Sequence, residues 1–295
     1  MSAVGPTAVQ ISVARERWPR AFALTTGERL RLSLLWTVAG VAILLALWRT
    51  GFFDPERIVN GVGQLGFLIK LMMPPASNGW FLDFMEGILE TLAMAFLGTL
   101  MAALAAVPLG VLGARNVIPN RVFHFGLRRI FDGLRGIDQL IWALIFVNVV
   151  GLGPFAGIMA IFMSDAGTLA KLFSEAFENV EAKQVEGVRA SGGDKMQVVR
   201  FGMVPQVLPV ILSNALYYFE SNTRSATILG IVGAGGIGLQ LSDRIRVNNW
   251  DEAAFIIIMI LITVALIDNL SRAVRLRIIG TEEGPIEDEP GGPIT

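Results

Sequence analysis

The sequence predicts an all-α membrane protein of about six transmembrane helices, and three observations carry that prediction. Of its 295 residues 53% are hydrophobic and 17% charged, a balance that soluble domains rarely show. Several stretches run roughly 15 to 25 residues without a charge, enough to cross a hydrocarbon core of about 30 Å at about 1.5 Å per helical residue. Finally, Lys and Arg gather in alternate connecting segments, the distribution expected when those segments share the cytoplasmic side.

Taken in order, residues 1–31 form a polar N-terminal segment carrying Arg15, Arg17, Arg20, Arg29 and Arg31, expected in the cytoplasm. No small-residue cleavage site follows the first apolar run, so the run Leu32 to Trp48 should remain as an anchor. Residues 32–84 thus hold the first span and an external interfacial segment. In that segment Ile58, Val62, Leu65, Ile69 and Met72 fall near helical spacing among the polar Arg57, Gln64 and Lys70, which suits a short interfacial helix or an ordered loop.

The core, 85–272, begins with a second span from about Met85 to Ala114, whose stretch "TLAMAFLGTLMAALAAVPLGVLGA" is uncharged. Gly98, Ala102, Ala105 and Ala106 suit close helix packing. The uncharged stretch Gln139 to Ser164 reads as one long helix or two short ones broken at Gly151 to Pro154. Charge decides between them. Arg115, Arg121, Arg128, Arg129 and Arg135 lie before it, and Lys171, Lys183, Arg189, Lys195 and Arg200 after it, so both flanks belong in the cytoplasm and the crossings between them must be even. Gly151 to Pro154 then becomes an external hairpin turn between a third span, about Leu134 to Val150, and a fourth, about Phe155 to Phe177.

A fifth span is predicted from about Val207 to Val232 and a sixth from about Glu252 to Leu270, followed by Arg272, Arg275 and Arg277. Both termini then lie inside, with 18 of the 24 Lys and Arg on the cytoplasmic side and Arg224 left within a span. The tail, 273–295, ends in the acidic "GTEEGPIEDEPGGPIT" and is expected to be largely disordered.

The absence of cysteine removes disulfides, thiolate metal sites and cysteine nucleophiles. No cluster of His, Asp and Glu has metal-ligand spacing, and no serine has a histidine available as base. No catalytic residue, metal, cofactor or nucleic-acid partner is therefore expected in this chain. His124, the only histidine, sits in a basic loop and reads as solvated. Asp132, Arg135 and Asp138 are spaced to pair on one helix face. Glu86 and Glu90 suit either an interfacial position or the edge of a polar path. Trp18, Trp48, Trp80 and Trp250 fall near interfaces.

Two patterns bear on function. Gly233, Gly235 and Gly238 spell G-x-G-x-x-G, with Asp251 and Glu252 about 20 residues past the first glycine, as in a dinucleotide-binding turn. The context is wrong for one. A membrane span precedes the motif, the twelve residues Leu239 to Trp250 are too few and too polar for a packed helix and strand, and the acids open the last span. A phosphate loop for ATP fails as well, because Leu239 and Gln240 stand where lysine and a hydroxyl are needed. Gly233, Gly235, Gly236 and Gly238 are read instead as an external glycine loop.

The second pattern is "VEGVRASGGDKMQVVRFGMVPQVLP", Val185 to Pro209. It resembles the EAA loop of ABC importer permeases: Glu186 matches the acid, Gly192 the glycine at the right distance, and Val204 with Pro205 the Leu-Pro step. Gly187 and Val188 depart from the two alanines, and Gly202 from the isoleucine. A short helix between two spans, bounded by glycines and a proline, suits docking as a rigid peg, and Gly192 permits a close approach or a sharp turn.

Together with "FESNTRSATILGIVGAGGIG" and "VGLGPFAG", the chain from about Ile88 to Leu270 is similar to phosphonate ABC transporter permeases. The resemblance implies a type I ABC importer permease (MetI-like) fold and a place in the bacterial inner membrane. It further implies a homodimer of permease chains with two copies of a cytosolic ATPase, which would hold ATP and Mg, and an extracytoplasmic phosphonate-binding protein. Residues 181–205 would then be the coupling loop.

Glu220 and Arg224 sit midway along the fifth span, where a charge costs at least about 2.5 kcal/mol unless paired or lining a polar path. Two readings stand: an internal ion pair at i,i+4, or a translocation path in which Arg224, with Ser221, Asn222, Ser225 and Thr227 nearby, makes a transient bidentate contact to a passing anion. A secondary transporter of small anions is the alternative function, and it predicts symmetry between halves and two broken spans.

Overall fold

The computed structural model describes residue 17 and residues 26–279; the expected cytoplasmic N-terminal segment and disordered tail fall largely outside them. Among the described residues every regular element is helical, and the chain divides into two units at Phe67 and Leu68.

The first unit holds α1 (Thr26–Arg49) and most of α2 (Pro55–Leu71). Within residues 27–49 a window of 18 residues has a mean hydropathy of 2.1, as a span requires. Gly51, at φ 69°, turns the chain, and Asp54 starts α2 by accepting the backbone N–H groups of Glu56 (3.2 Å) and Arg57 (3.4 Å) ahead of a proline at the first helical position. Of the two readings of this segment, the helix is the one the chain adopts.

The second unit is built around α3 (Phe81–Gly113), 33 residues long. Its buried face carries a strip of small residues, Gly87, Thr91, Ala95, Gly98, Ala102, Ala106 and Gly110. Along the Gly98 to Gly110 part of this strip packs α6 (Pro154–Glu178). A methyl at Gly98 would lie 2.7 Å from Ile161 Cβ, and one at Gly110 2.7 Å from Phe173 Cβ, so only glycine lets these helices approach so closely. Ala105 is half-buried beside the strip.

The predicted third span is corrected. The chain forms α4 (Arg121–Arg135) and α5 (Gln139–Val150), bent by 80° at the break between them. Both starts are set locally: Asn120 accepts from the N–H groups of Val122 and Phe123, and Asp138 accepts from Leu140 at 2.8 Å. Leu134 therefore belongs to the amphipathic α4, and α5 alone, with 12 residues, covers only about 18 Å. Asp132 pairs with Arg129 (3.2 Å) and with Lys171 of α6 (3.1 Å), not with Arg135, while Asp138 serves as a cap.

The hairpin at Gly151 to Pro154 is present. Gly151 and Gly153 have φ of 92° and 135°, and Pro154 opens α6. After α6 come α7 (Ala182–Ala190) and a single turn, α8 (Lys195–Gln197), which continues through the π-helical residues Val198–Met203 into α9 (Val204–Leu229). A kinked π turn, Gly230–Ala234, leads to α10 (Gly236–Arg246) and then to α11 (Trp250–Ile279). Five described helical stretches are long and apolar enough to cross a membrane, and α4 with α5 makes six if the bent pair is one span.

Three buried clusters hold this unit together. Phe131, Phe173, Phe177, Val185, Met203 and Val207 join α4, α6, α7 and the start of α9. Met94, Ala143, Ile161, Ala226 and Leu229 fill the middle. Phe84, Ile237, Leu241, Ala253 and Ile256 close the far end, where Asn78 also donates to Asp251 (2.9 Å) and Glu252 (3.0 Å).

Candidate functional site

The segment predicted to couple to a partner is α7 and the turn after it. Val185 is the helix's one buried side chain, while Glu186 and Gly187 on the next two positions are exposed. Val185 fits because Gly202 has no side chain: a methyl there would come within 3.3 Å of the Val185 Cα. Gly202, which departs from the resembled pattern, is thus a packing position.

The end of α7 is a Schellman motif. Gly193 N–H donates to Val188 O (3.0 Å), Gly192 N–H to Arg189 O (2.9 Å), and Gly192 takes φ 84°. Nothing lies within 4 Å of a methyl built on Gly192, so it is there for the sharp turn and not for contact within this chain. Val204 and the exposed Pro205 stand where the π-helical turn passes into α9.

Farther along α9, the predicted i,i+4 pair of Glu220 with Arg224 is present, but it is the longer of two pairings that Arg224 makes. Its Nη1 donates to both carboxylate oxygens of Asp268 of α11 at 3.0 and 2.9 Å, while its Nη2 lies 3.7 Å from Glu220, which Arg275, also of α11, engages at 3.0 Å. Two acids and two arginines therefore alternate between two helices, and the group is formally neutral. Arg224 and Asp268 remain 47% and 38% exposed. Ionised groups so placed on membrane helices need a polar surface facing them, because hydrocarbon does not solvate them. Asp268 was missed in the sequence, although an acid inside the apolar run of the last span is itself a signal.

The predicted path residues do not share one face. Ser221 and Ser225 are half-buried near Arg224, but Asn222 points inward and is 3% exposed. Its amide donates to Thr99 Oγ1 (2.8 Å) and to Asp165 and accepts from Gln139 (3.0 Å), joining α3, α5, α6 and α9. Asn222 is a structural hub. Asp165, 5% exposed inside α6, was an overlooked intramembrane acid. Thr227 meets α10 through its carbonyl, against which Gly238 packs.

The glycine segment is corrected from a loop to a tight helix-to-helix reversal. Gly233, Gly235 and Gly236 take φ of 102°, 85° and 69°, which L side chains rarely adopt. Gly236 N–H donates to Glu90 (3.0 Å) and Ile237 N–H to Thr91 (2.9 Å), so Glu90 anchors the start of α10. Gly233 O accepts from Gly153 N–H at 3.0 Å, tying the reversal to the hairpin. Polar as it is, the stretch after Gly238 does form a helix, with Leu241 and Ser242 buried; among the described residues no strand follows it.

His124 is also corrected: it is buried, 6% exposed, and its Nε2 accepts from Arg115 Nε at 2.9 Å.

Comparison with known proteins agrees with this architecture. The sequence model of the family described as binding-protein-dependent transport system inner membrane component matches residues 106–279. The phosphite transport system permease protein PtxC of Stutzerimonas stutzeri is 36% identical over 261 residues, covering 88% of this chain and 94% of that protein. The putative phosphite transport system permease protein HtxC of the same organism is 33% identical, covering 86% and 90%. In structure, the inward-facing MetNI methionine ABC transporter contains a chain that superposes with a TM-score of 0.61 at 23% identity, over 69% of this chain and 99% of that one.

Proposed function

Because the chain belongs to the family of binding-protein-dependent transport system inner membrane components, we propose that it is the permease of an ATP-driven importer of phosphonate or a related phosphorus oxyanion. It works as a homodimer in the bacterial cytoplasmic membrane with two copies of a cytosolic ATPase, which holds the ATP and Mg, and with an extracytoplasmic binding protein. Both termini and α7 face the cytoplasm, and the hairpin at Gly151 to Pro154 faces outward. The observation that carries this reading is α7, anchored by Val185 with the half-buried Val188, ended by Gly192 and presenting Glu186 and Gly187 outward beside the helical stretch that leads to Arg224. A docked ATPase that tilts α7 moves α9 through the helical stretch that runs from Lys195 to Leu229. The phosphorus oxyanion as cargo is supported by the two phosphite permeases covered over most of their length. Arg224 supports it too, since a guanidinium that donates to both oxygens of Asp268 can donate likewise to the oxygens of a phosphorus oxyanion.

The test is reconstitution in proteoliposomes with the ATPase and binding protein. Uptake of phosphite or methylphosphonate should require ATP and exclude sulfate. The chain has no cysteine, so single cysteines at Gly153 and Lys195 report sidedness directly: the first should be labelled from outside and the second only from inside. Uptake that ignores ATP and collapses with an ionophore would establish the secondary-transporter alternative instead, and external labelling at position 195 would reverse the topology.

A further inference from the structure

A cavity of about 600 Å³ lies between the connection after α3 and the first turns of α4, lined among others by Arg115, Arg121, His124, Phe125, Arg128 and Arg129. Four of these are arginines, and no carboxylate lines the cavity. Glu178 balances Arg128 from behind at 3.2 Å, and Asp132 balances Arg129. Among the described residues no carboxylate reaches the guanidinium of Arg115 or Arg121; Arg115 spends its Nε–H on His124 Nε2. The cavity is therefore short of acceptors. The buried His124 accepts at Nε2, which places its proton on Nδ1, and that nitrogen has no partner; neither has the buried Nε of Arg128. Buried donors without acceptors are costly and uncommon.

From this geometry we propose that the cavity binds a tetrahedral phosphate-type oxyanion, and that its source is the headgroup of an anionic phospholipid. Arginine forks match phosphate oxygens, and the volume falls within the range of ligand sites. The lipid source follows from the rest of α4. Val122, Phe123, Phe125 and Ile130 are exposed at 82%, 43%, 64% and 59% beside Arg121 and Arg129, the make-up of a helix lying in a membrane surface with basic residues toward headgroups. Phe125, at the cavity's edge, offers a ring for acyl chain to cover. The site also reaches the coupling segment: Glu178, which binds Arg128 and accepts the Arg115 N–H at 3.0 Å, is the last residue of α6, just before α7. Headgroup occupancy thus sets the ground from which α7 projects.

The binding test is independent of what the transporter carries. Full-length protein in phosphatidylcholine nanodiscs is compared with discs containing increasing phosphatidylglycerol, reading thermal stability and bound lipid by native mass spectrometry, with inorganic phosphate added separately in lipid-free detergent. Arg121 is exposed and unpaired, so Arg121→Gln leaves the fold intact and should weaken phosphatidylglycerol binding about tenfold or more. Arg115→Gln/Arg121→Gln should abolish it, and added salt should weaken it in the wild type. A response to inorganic phosphate, lost in the double variant and absent with phosphatidylglycerol, keeps the oxyanion site but overturns the lipid source. Equal responses of wild type and Arg121→Gln to both probes overturn the site.

Discussion

Replacing Gly238 with alanine should unlock the reversal between α9 and α10. The added methyl would run into the Thr227 carbonyl oxygen and sit 3.0 Å from Gly230 Cα. Both neighbours are backbone, so no side-chain rotation relieves the overlap. Nor can α10 step back, because α3 lies behind it. There Gly236 and Ile237 donate to Glu90 and Thr91, and a methyl on Gly87 would already be 3.1 Å from Ile237 Cα. Overpacking of this kind costs about 1–3 kcal/mol, and losing the two hydrogen bonds adds about 0.5–1.5 kcal/mol each, roughly 2–6 kcal/mol together. For a chain of this length that lowers Tm by about 5–20 °C. The assay is thermal unfolding of the purified chain in detergent, followed by tryptophan fluorescence. The control is Gly133→Ala in α4, where nothing lies within 4 Å of the new methyl and helix propensity improves by up to about 1 kcal/mol. A Gly238→Ala protein that melts within about 2 °C of the control refutes the backbone-contact argument.

Gly192→Ala forces a left-handed residue at the end of α7 at a cost of about 1–2 kcal/mol. Tm should fall by only about 2–8 °C, since no side chain crowds the site and the cost is the backbone strain alone, while stimulation of ATP hydrolysis by the reconstituted permease drops several-fold; unchanged stimulation shows that the turn does not position the coupling helix. For the charged pair the informative change is a swap across α9 and α11. Arg224→Asp with Asp268→Arg restores opposite charges while Glu220 keeps Arg275. If Arg224 meets the transported anion, the swapped protein assembles normally but does not take up phosphite, and recovery of most of the uptake lost in Arg224→Asp alone assigns the pair a purely structural role.

How much of this was legible beforehand depends on how far apart the interacting groups lie along the chain. The hairpin at Gly151 to Pro154 and the turn at Gly192 were readable because one or two residues fix the backbone there. The break after Arg135 was equally local: Gly136 and the capping Asp138 signal a new helix, but the apolar run hid it. The helix after Gly238 was discounted for its polarity, and the discount failed because Ile237 and Leu241 need only one narrow face to seat on α3.

By itself, then, the sequence determined that this chain is a bundle of membrane helices, where most of them run, and which short segment projects from them, since transfer of apolar side chains into lipid and the capping of helix ends depend on composition and near neighbours. Only the tertiary structure decided that Arg224 pairs more closely with Asp268, forty-four positions away, than with Glu220, that Asn222 turns inward to Thr99 and Asp165, and that His124 is buried against Arg115. Spacing places a side chain on a helix face, but which face meets which is settled by how closely the helices approach, and here that approach is set by glycines at Gly87, Gly98, Gly110 and Gly238 whose contacts lie on other helices.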